Sequence, residues 1–473
     1  KLYNITMKPI LQSRWKVCGG RLVYYGIRKS PFTFKNSIKV SKTEIKVLGE
    51  LDGTRTLEEY SKKRIIKKFI RKGVVVDASE NIVLPKSLAA ARYCKKCVAN
   101  DFTVPGIEFD KDGLCPMCAS RINFSSRRAI MPVKTEIPYN KKGKYDVALF
   151  YTGGKDSSYL LYYLAAVKKL RVLAMTWQIP FMSKNALQSI ENAKEKLKNV
   201  TFVSRKASDE ATEAIYAEHY RLAGNTCMCP SFAYVLFYPL LVEERVPYVV
   251  LGNEPVQMQN LIFNNISPSF AFIPALQGLA RFGVNILRIL TFRKPFKCGQ
   301  MQMYFTVKAL SDGKIPFKDS GKYHNEQVAN VCKALNSQPE FMEPFKKCVD
   351  KSVKRGFIPQ LVHIDFDETL GGVYNWQQVK ELLKEQIGWT DCEEKDKALH
   401  TSCVIEKCKE YTQLKRFKDM QGRTIPYSAI ELSLAVSSGC ISREEAMEEL
   451  KNSCGFCGCQ SEMQVMLSSF KQN

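Results

Sequence analysis

The segment DVALFYTGGKDSSYLLYYL, starting at Asp146, constrains the fold more than any other part of the chain. An apolar strand over 146–151 runs into Thr152-Gly153-Gly154-Lys155-Asp156-Ser157-Ser158 and then directly into an amphipathic helix. The two glycines let backbone amides approach an anion, the hydroxyls and Lys155 can hold phosphate oxygens, and the helix N-terminus adds its positive dipole end. The spacing is not that of a Walker A loop, because GxxxxGK[ST] is missing. Around it, strand-like runs at 145–151, 171–177, 200–204 and 246–251 alternate with helical ones at 156–169, 184–197, 208–222 and 231–243. That alternation implies an α/β fold with a mostly parallel sheet covered by helices.

At 473 residues the chain is long enough for two to four domains. With 45% hydrophobic and 25% charged residues it is globular in composition. No stretch reaches the roughly 18 uninterrupted apolar residues of a membrane span, and Arg14 and Lys16 interrupt any apolar signal core. The expectation is a soluble, cytoplasmic protein with no membrane partner. In that reducing setting, 17 cysteines point to metal ligands or thiol chemistry rather than a disulfide scaffold. Four of them form two CxxC pairs, Cys94/Cys97 and Cys115/Cys118, with Gly113 allowing the second turn. Two such knuckles supply the four thiolates of a closed, structural zinc site.

The formal charge of +24 is concentrated at the start: residues 1–90 hold 20 Lys/Arg against 7 Asp/Glu, a net of +13. Such a balance suits an acidic partner, nucleic acid or protein. Within this region Ile45, Leu48 and Leu51 fall at helical spacing, Thr56 precedes Leu57-Glu58-Glu59 as an N-cap, and KKRIIKKFIRK (62–72) carries seven cations in eleven residues. Val74-Val75-Val76 follows as a strand. The order helix, helix, basic helix, strand hairpin is that of a winged helix, and LGELDGTRTLEEY with FIRKGVVV resembles the small PqqD-like, peptide-recognising winged helices.

The TGGKDSS loop resembles the PP-loop, SGGxDS, of the ATP pyrophosphatases (adenine nucleotide alpha hydrolase-like), with Thr152 in place of the usual Ser. That resemblance implies ATP and Mg²⁺ at Thr152, Gly153, Gly154, Lys155, Asp156, Ser157 and Ser158, with Lys155 and Asp156 catalytic. It also implies adenylation of a carbonyl or amide oxygen, release of pyrophosphate, and displacement of AMP by nitrogen or sulfur. VVLGNEP places Gly252, Asn253 and Glu254 at a strand end in the same layer, where the family binds nucleotide or acceptor. The knuckle ahead of the loop, YCKKC…PGIEFDKDGLCPMC, with KELLKEQIGW (380–389), is similar to the N-acetyl sugar amidotransferases, which use ammonia to form an amidine.

This chain departs from those relatives in its basic N-terminal region and its extra cysteines. Cys227-Met228-Cys229-Pro230 lies just before a predicted helix in the α/β core. Either cysteine could carry sulfur as a persulfide or hold an iron–sulfur cluster, as core cysteines do in sulfur-inserting PP-loop enzymes; the other reading is two buried thiols packing as small hydrophobes. The overall arrangement resembles closthioamide-type thioamide synthetases, which implies conversion of an amide or carrier-bound carbonyl to a thioamide. The basic N-terminal region would then dock an acidic carrier protein or peptide-linked substrate, with a separate sulfur donor protein as a further partner. A sugar-type amidotransferase and a transfer-RNA thiolase, with transfer RNA as partner, are the alternatives. In the tail, His400 and Cys403 with Cys454 and Cys457 could form a second metal site. HIDFDET (363–369) clusters acids that could place magnesium. The expected organisation is a winged-helix recognition domain over 1–90, a zinc knuckle over 91–123, a PP-loop ATP-binding α/β domain over 124–390 and a helical Cys-rich region over 391–473.

Overall fold

In the parallel sheet, the strand entering the glycine loop lies at the centre, and that position organises the larger part of the chain. The computed structural model describes residues 6–18, 20–24, 36–83, 85–104, 107–119, 136–179, 182–223, 228–251, 274–314, 326–355, 357–391 and 427–453. Of the expected site residues, Cys227, Gly252, Asn253, Glu254, His400, Cys403, Cys454 and Cys457 lie outside them. Two units are present. One holds the described residues up to Ala119 and the helices Tyr427–Ser437 and Arg443–Ser453; the other holds 136–391 and residues 438–442.

In the first unit, β1 (Pro9–Leu11) pairs antiparallel with β5 (Val75–Asp77), and β2 (Trp15–Cys18), β3 (Arg21–Tyr24) and β4 (Asn36–Lys39) form an antiparallel meander. Between β4 and β5 come α1 (Lys42–Gly49), a single 3₁₀ turn at Leu57–Glu59, and α2 (Lys63–Arg71), and α3 (Pro116–Ala119) follows β5. Ser41 and Glu44 close a capping box on α1, and Gly73, at φ +65°, ends the turn after α2. Trp15, Leu22, Val47, Leu48, Leu57, Ile66 and Phe69 share one core. The element order differs from the expected winged helix. The middle helix is one 3₁₀ turn, because the Thr56–Glu59 capping interaction starts it and Tyr60 leaves it in an extended conformation only three residues later. The strand after the basic helix returns to the far N-terminal β1 instead of folding into a hairpin.

In the second unit, β6 (Val147–Phe150), β7 (Val172–Trp177), β8 (Val200–Arg205), β9 (Tyr248–Leu251) and β10 (Gln360–His363) form one sheet in the order β10-β9-β6-β7-β8. Every pairing is parallel. Val147 to Leu149 and all of β7 are buried, as strands covered on both faces must be, so they read in the sequence as continuous apolar runs. The chain builds outward from β6 through β7 and β8, then crosses back to lay β9 and β10 on the other side of β6. β6 is therefore at the topological switch point, where an open parallel sheet leaves a crevice at its carboxyl ends. Helices α4 (Lys155–Tyr162), α5 (Lys184–Lys196), α6 (Asp209–Ala223) and α7 (Cys229–Glu243) fall where the sequence pattern placed them. β10 was not anticipated.

Candidate functional site at the carboxyl end of β6

β6 ends at Phe150, Tyr151 continues the strand direction by donating to the Met175 carbonyl at 2.8 Å, and the glycine loop follows. Gly153 has φ +72°, and a Cβ there would lie 2.4 Å from the carbonyl oxygen of Ala186. Only glycine lets the loop pass that close to α5. Gly154 is the N-cap of α4 in extended conformation, with no side chain to occupy the first turn's N–H groups. The amides of that first turn sit at the positive end of the helix. The hydroxyls of Thr152 and Ser157 lie 3.1 Å apart, and Ser157 Oγ also accepts from the Thr152 amide at 3.3 Å. Thr152, Gly153, Gly154 and Ser157 therefore form one compact turn lined by amides and hydroxyls, the donor set that cradles an anion. Ser158, one residue on, is fully buried inside α4.

Lys155 and Asp156 are held from behind. Lys155 is 2% exposed; its Nζ donates to Asp156 Oδ1 and to the Tyr374 hydroxyl at 3.2 Å, and lies 4.5 Å from the Tyr374 ring centroid and 5.1 Å from that of Trp376. The Tyr374 hydroxyl in turn donates to Asp156 Oδ1 at 2.8 Å. Trp389 donates its indole N–H to the Gly153 carbonyl at 3.0 Å. Tyr374, Trp376 and Trp389 were not singled out from the sequence; the nearest signal was KELLKEQIGW, whose last residue is Trp389.

β10 brings a third element to the same edge. Its last residue, His363, is buried, and burial pushes its pKa down to about 4 against a smaller upward pull from Asp365. Asp365 caps the short helix Phe366–Leu370, accepting from the amides of Asp367 and Glu368, while Asp367 accepts from the Tyr374 amide at 2.8 Å. Asp365 and Asp367 are thus engaged in shaping the turn that delivers Tyr374. On the other side of β6, Phe232 in α7 stacks on Trp177, the final residue of β7, with centroids 4.4 Å apart. That contact puts the N-terminus of α7, where Cys229 stands, at the carboxyl edge of the sheet as well.

In the first unit the knuckle folds around Cys94, Cys97, Cys115 and Cys118, whose Sγ atoms all lie within 4.8 Å of one another. Gly113, at φ +79°, makes the turn, and Asp110 Oδ1 accepts from the Leu114 amide at 2.8 Å. The Ala99 amide donates to Cys97 Sγ and the Cys115 amide to Cys94 Sγ. Hydrogen bonds from Cys115, then Cys118 and Cys97, hold the Cys94 thiol far below its ordinary range, while Cys97 is pushed far up by the same neighbours. Four sulfurs this close repel as thiolates unless a cation joins them. Helix Tyr427–Ser437 lies against the short helix Pro116–Ala119 that carries Cys118.

No protein-family model matches the sequence, and no curated protein matches it. Among solved structures, the chain is similar to the U34-tRNA thiolase NcsA from Methanococcus maripaludis, solved with its [4Fe-4S] cluster, at a TM-score of 0.22 and 13% identity, over 56% of this chain and 88% of that one.

Proposed function

We propose that the chain is an ATP-dependent PP-loop enzyme that adenylates a carbonyl oxygen and replaces it with sulfur. The observation that carries this reading is the turn from Thr152 to Ser157 at the switch point of the sheet, with Gly153 pressed against α5 and the first amides of α4 at the loop. ATP lies with its phosphates on those amides and on the Thr152 and Ser157 hydroxyls. Mg²⁺ bound to the triphosphate would offset charge on the pyrophosphate leaving group. The substrate oxygen attacks the α-phosphorus, the α–β bond breaks and pyrophosphate leaves. Sulfur then attacks the activated carbon, and AMP departs with the original oxygen, leaving a thiocarbonyl such as a thioamide. The protein's contribution is to align these groups and keep water from the adenylate. Asp156, oriented by Tyr374 and Lys155, is the charged group next to the loop.

Sulfur as the incoming atom is supported by Cys229, the first residue of α7, whose N-terminus lies at the carboxyl edge of the sheet, with Cys227 two positions before it in the sequence. Carried as a persulfide on one of these cysteines, the outer sulfur would bond to the carbon as AMP leaves. The thiol of the other would then attack the inner sulfur, releasing the thiocarbonyl and leaving a disulfide that a thiol reductant reopens; a cluster that the cysteines help hold is the other source. An amidotransferase would use ammonia at the same carbon. The four-cysteine knuckle suits zinc: a Zn–S bond of about 2.3 Å places tetrahedral sulfurs roughly 3.8 Å apart, and Cys97 and Cys115 are separated by 3.6 Å.

The acceptor comes on an acidic partner. A transfer RNA is the second reading, favoured by α2, where Lys63, Lys67, Lys68 and Arg71 share one short helix; an acidic carrier protein meets the same charge. The test is pyrophosphate release from ATP with unmodified transfer RNA or a carrier-bound amide as acceptor. Asp156→Ala and Ser157→Ala should each lower the rate about a hundredfold, and unchanged rates would sink the assignment. Cys227→Ser with Cys229→Ser should abolish the sulfur product and leave pyrophosphate release in place.

A further inference from the structure

Helix Pro274–Leu290, between β9 and β10, is packed the wrong way round for a helix facing water. Its inner face carries Ala280, Val284, Asn285 and Arg288. Asn285 exchanges two hydrogen bonds with the backbone of Phe296, and Arg288 is buried over the Phe296 ring, its Nε donating to the Lys294 carbonyl at 2.7 Å. Its outer face is apolar. Leu279, Phe282, Leu287 and Leu290 are 65–70% exposed, with Ile286 and Ile289 beside them. Phe292, fully exposed, takes φ +55° at the turn after the helix, where glycine is the residue of least strain. Among the described residues nothing covers this face, and so many large side chains in one patch mark an interaction surface.

The charge along this stretch of the chain is of one sign. From Pro255 to Ser311 the sequence contains no Asp or Glu, while Arg281, Arg293, Lys294 and Lys297 accompany the helix and the loop after it. Arg293, Lys294 and Lys297 are exposed. The helix, at 17 residues, is not long and apolar enough to cross a bilayer. A bulky aliphatic and phenylalanine face with a cationic border is the pattern that lies in the plane of a membrane interface. Protein contact surfaces rely instead on Tyr, Trp and Arg, with Leu under-represented. A second copy of the chain would bring the two basic borders together. We propose that this helix seats the α/β unit on an anionic lipid bilayer, with Phe282, Leu287, Leu290 and Phe292 in the acyl boundary and Arg293, Lys294 and Lys297 among the headgroups.

The proposal goes beyond the catalytic reading and does not depend on it. The experiment is co-sedimentation of the full chain with phosphatidylcholine vesicles containing or lacking phosphatidylglycerol. The wild type should bind the anionic vesicles, bind neutral ones weakly, and lose affinity as salt rises. Phe282→Ser/Leu287→Ser/Leu290→Ser should lower binding at least about tenfold, with circular dichroism and melting unchanged because all three side chains are exposed. Phe292→Trp reports depth: its emission should shift to the blue on binding, against four native tryptophans that are all buried. Three results would each overturn the proposal. One is no binding of the wild type to anionic vesicles. Another is binding that the triple variant retains in full, which is adhesion through charge elsewhere, such as α2. The last is a wild-type dimer that the triple variant dissociates.

Discussion

Trp389 donates its indole N–H to the carbonyl of Gly153 at 3.0 Å, joining residues 236 positions apart in the sequence. Both groups are buried, so each needs the other: a buried carbonyl without a partner costs about 1–3 kcal/mol. The bond also fixes the peptide that turns the loop from β6 into α4. Trp389→Phe keeps most of the ring volume and removes the donor. It should lower stability by about 1–2 kcal/mol and weaken ATP binding, measured by urea denaturation and by calorimetric titration with a non-hydrolysable ATP analogue. Unaltered ATP affinity would mean that the loop holds its shape without Trp389.

Gly153 makes the sharper case. A Cβ at that position meets the Ala186 carbonyl oxygen at 2.4 Å while the backbone stays at φ +72°. Backbone cannot retreat as a flexible side chain would, so Gly153→Ala must move the loop or α5. The left-handed conformation alone costs an L-residue about 1–2 kcal/mol. Pyrophosphate release should fall by two orders of magnitude or more, with the chain still folded by circular dichroism. Gly154→Ala is the control, since Gly154 has φ −74°, open to any residue; it should be much milder.

What was legible in the sequence follows from where the information lies. β6 to β9 and α4 to α7 were readable because a parallel strand buried on both faces is an unbroken apolar run, and helices between such strands carry an amphipathic period. β10 was not, because Gln360–His363 is four residues long and its identity comes from pairing with Tyr248–Leu251, more than a hundred residues earlier. The glycine loop could be found by local pattern. Its support could not: nothing near Tyr374, Trp376 or Trp389 says that they meet Asp156, Lys155 and Gly153. The same distance effect hides the surroundings of Lys155, expected from the sequence to hold phosphate oxygens: its Nζ lies against the rings of Tyr374 and Trp376. In the N-terminal unit the basic helix was foreseeable, whereas the β1–β5 pairing was not.

His363 predicts a pH dependence of stability. Its folded pKa is about 4, depressed by burial from 6.5. The unfolded chain therefore takes up a proton as pH falls through 6.5, and the folded chain does not until about 4. The neutral, buried imidazole contributes in full above 6.5, and the contribution is lost progressively down to about 4, to a total of roughly 3 kcal/mol. Urea midpoints between pH 7.5 and 4.5 should fall more steeply for the wild type than for His363→Gln, which has no proton to take up. Parallel curves for the two would assign the acid sensitivity to other groups.

The knuckle predicts metal dependence of the first unit alone. Four sulfurs within 4.8 Å of one another are placed to hold a metal ion. With the zinc proposed above, cysteine would fill all four positions, leaving no open site for substrate, and the metal would act through folding. Purified protein should hold zinc in this site with no visible absorbance from it, and Cys97→Ser should lose that zinc. Without the metal, the Cys97 and Cys115 sulfurs, 3.6 Å apart, lose the cation that lets both stay as thiolates. The knuckle should then open to proteolysis between Tyr93 and Ala119, while the parallel sheet, which shares no residue with it, melts as before. Iron with acid-labile sulfide bound in wild type and lost in Cys97→Ser would refute the zinc assignment.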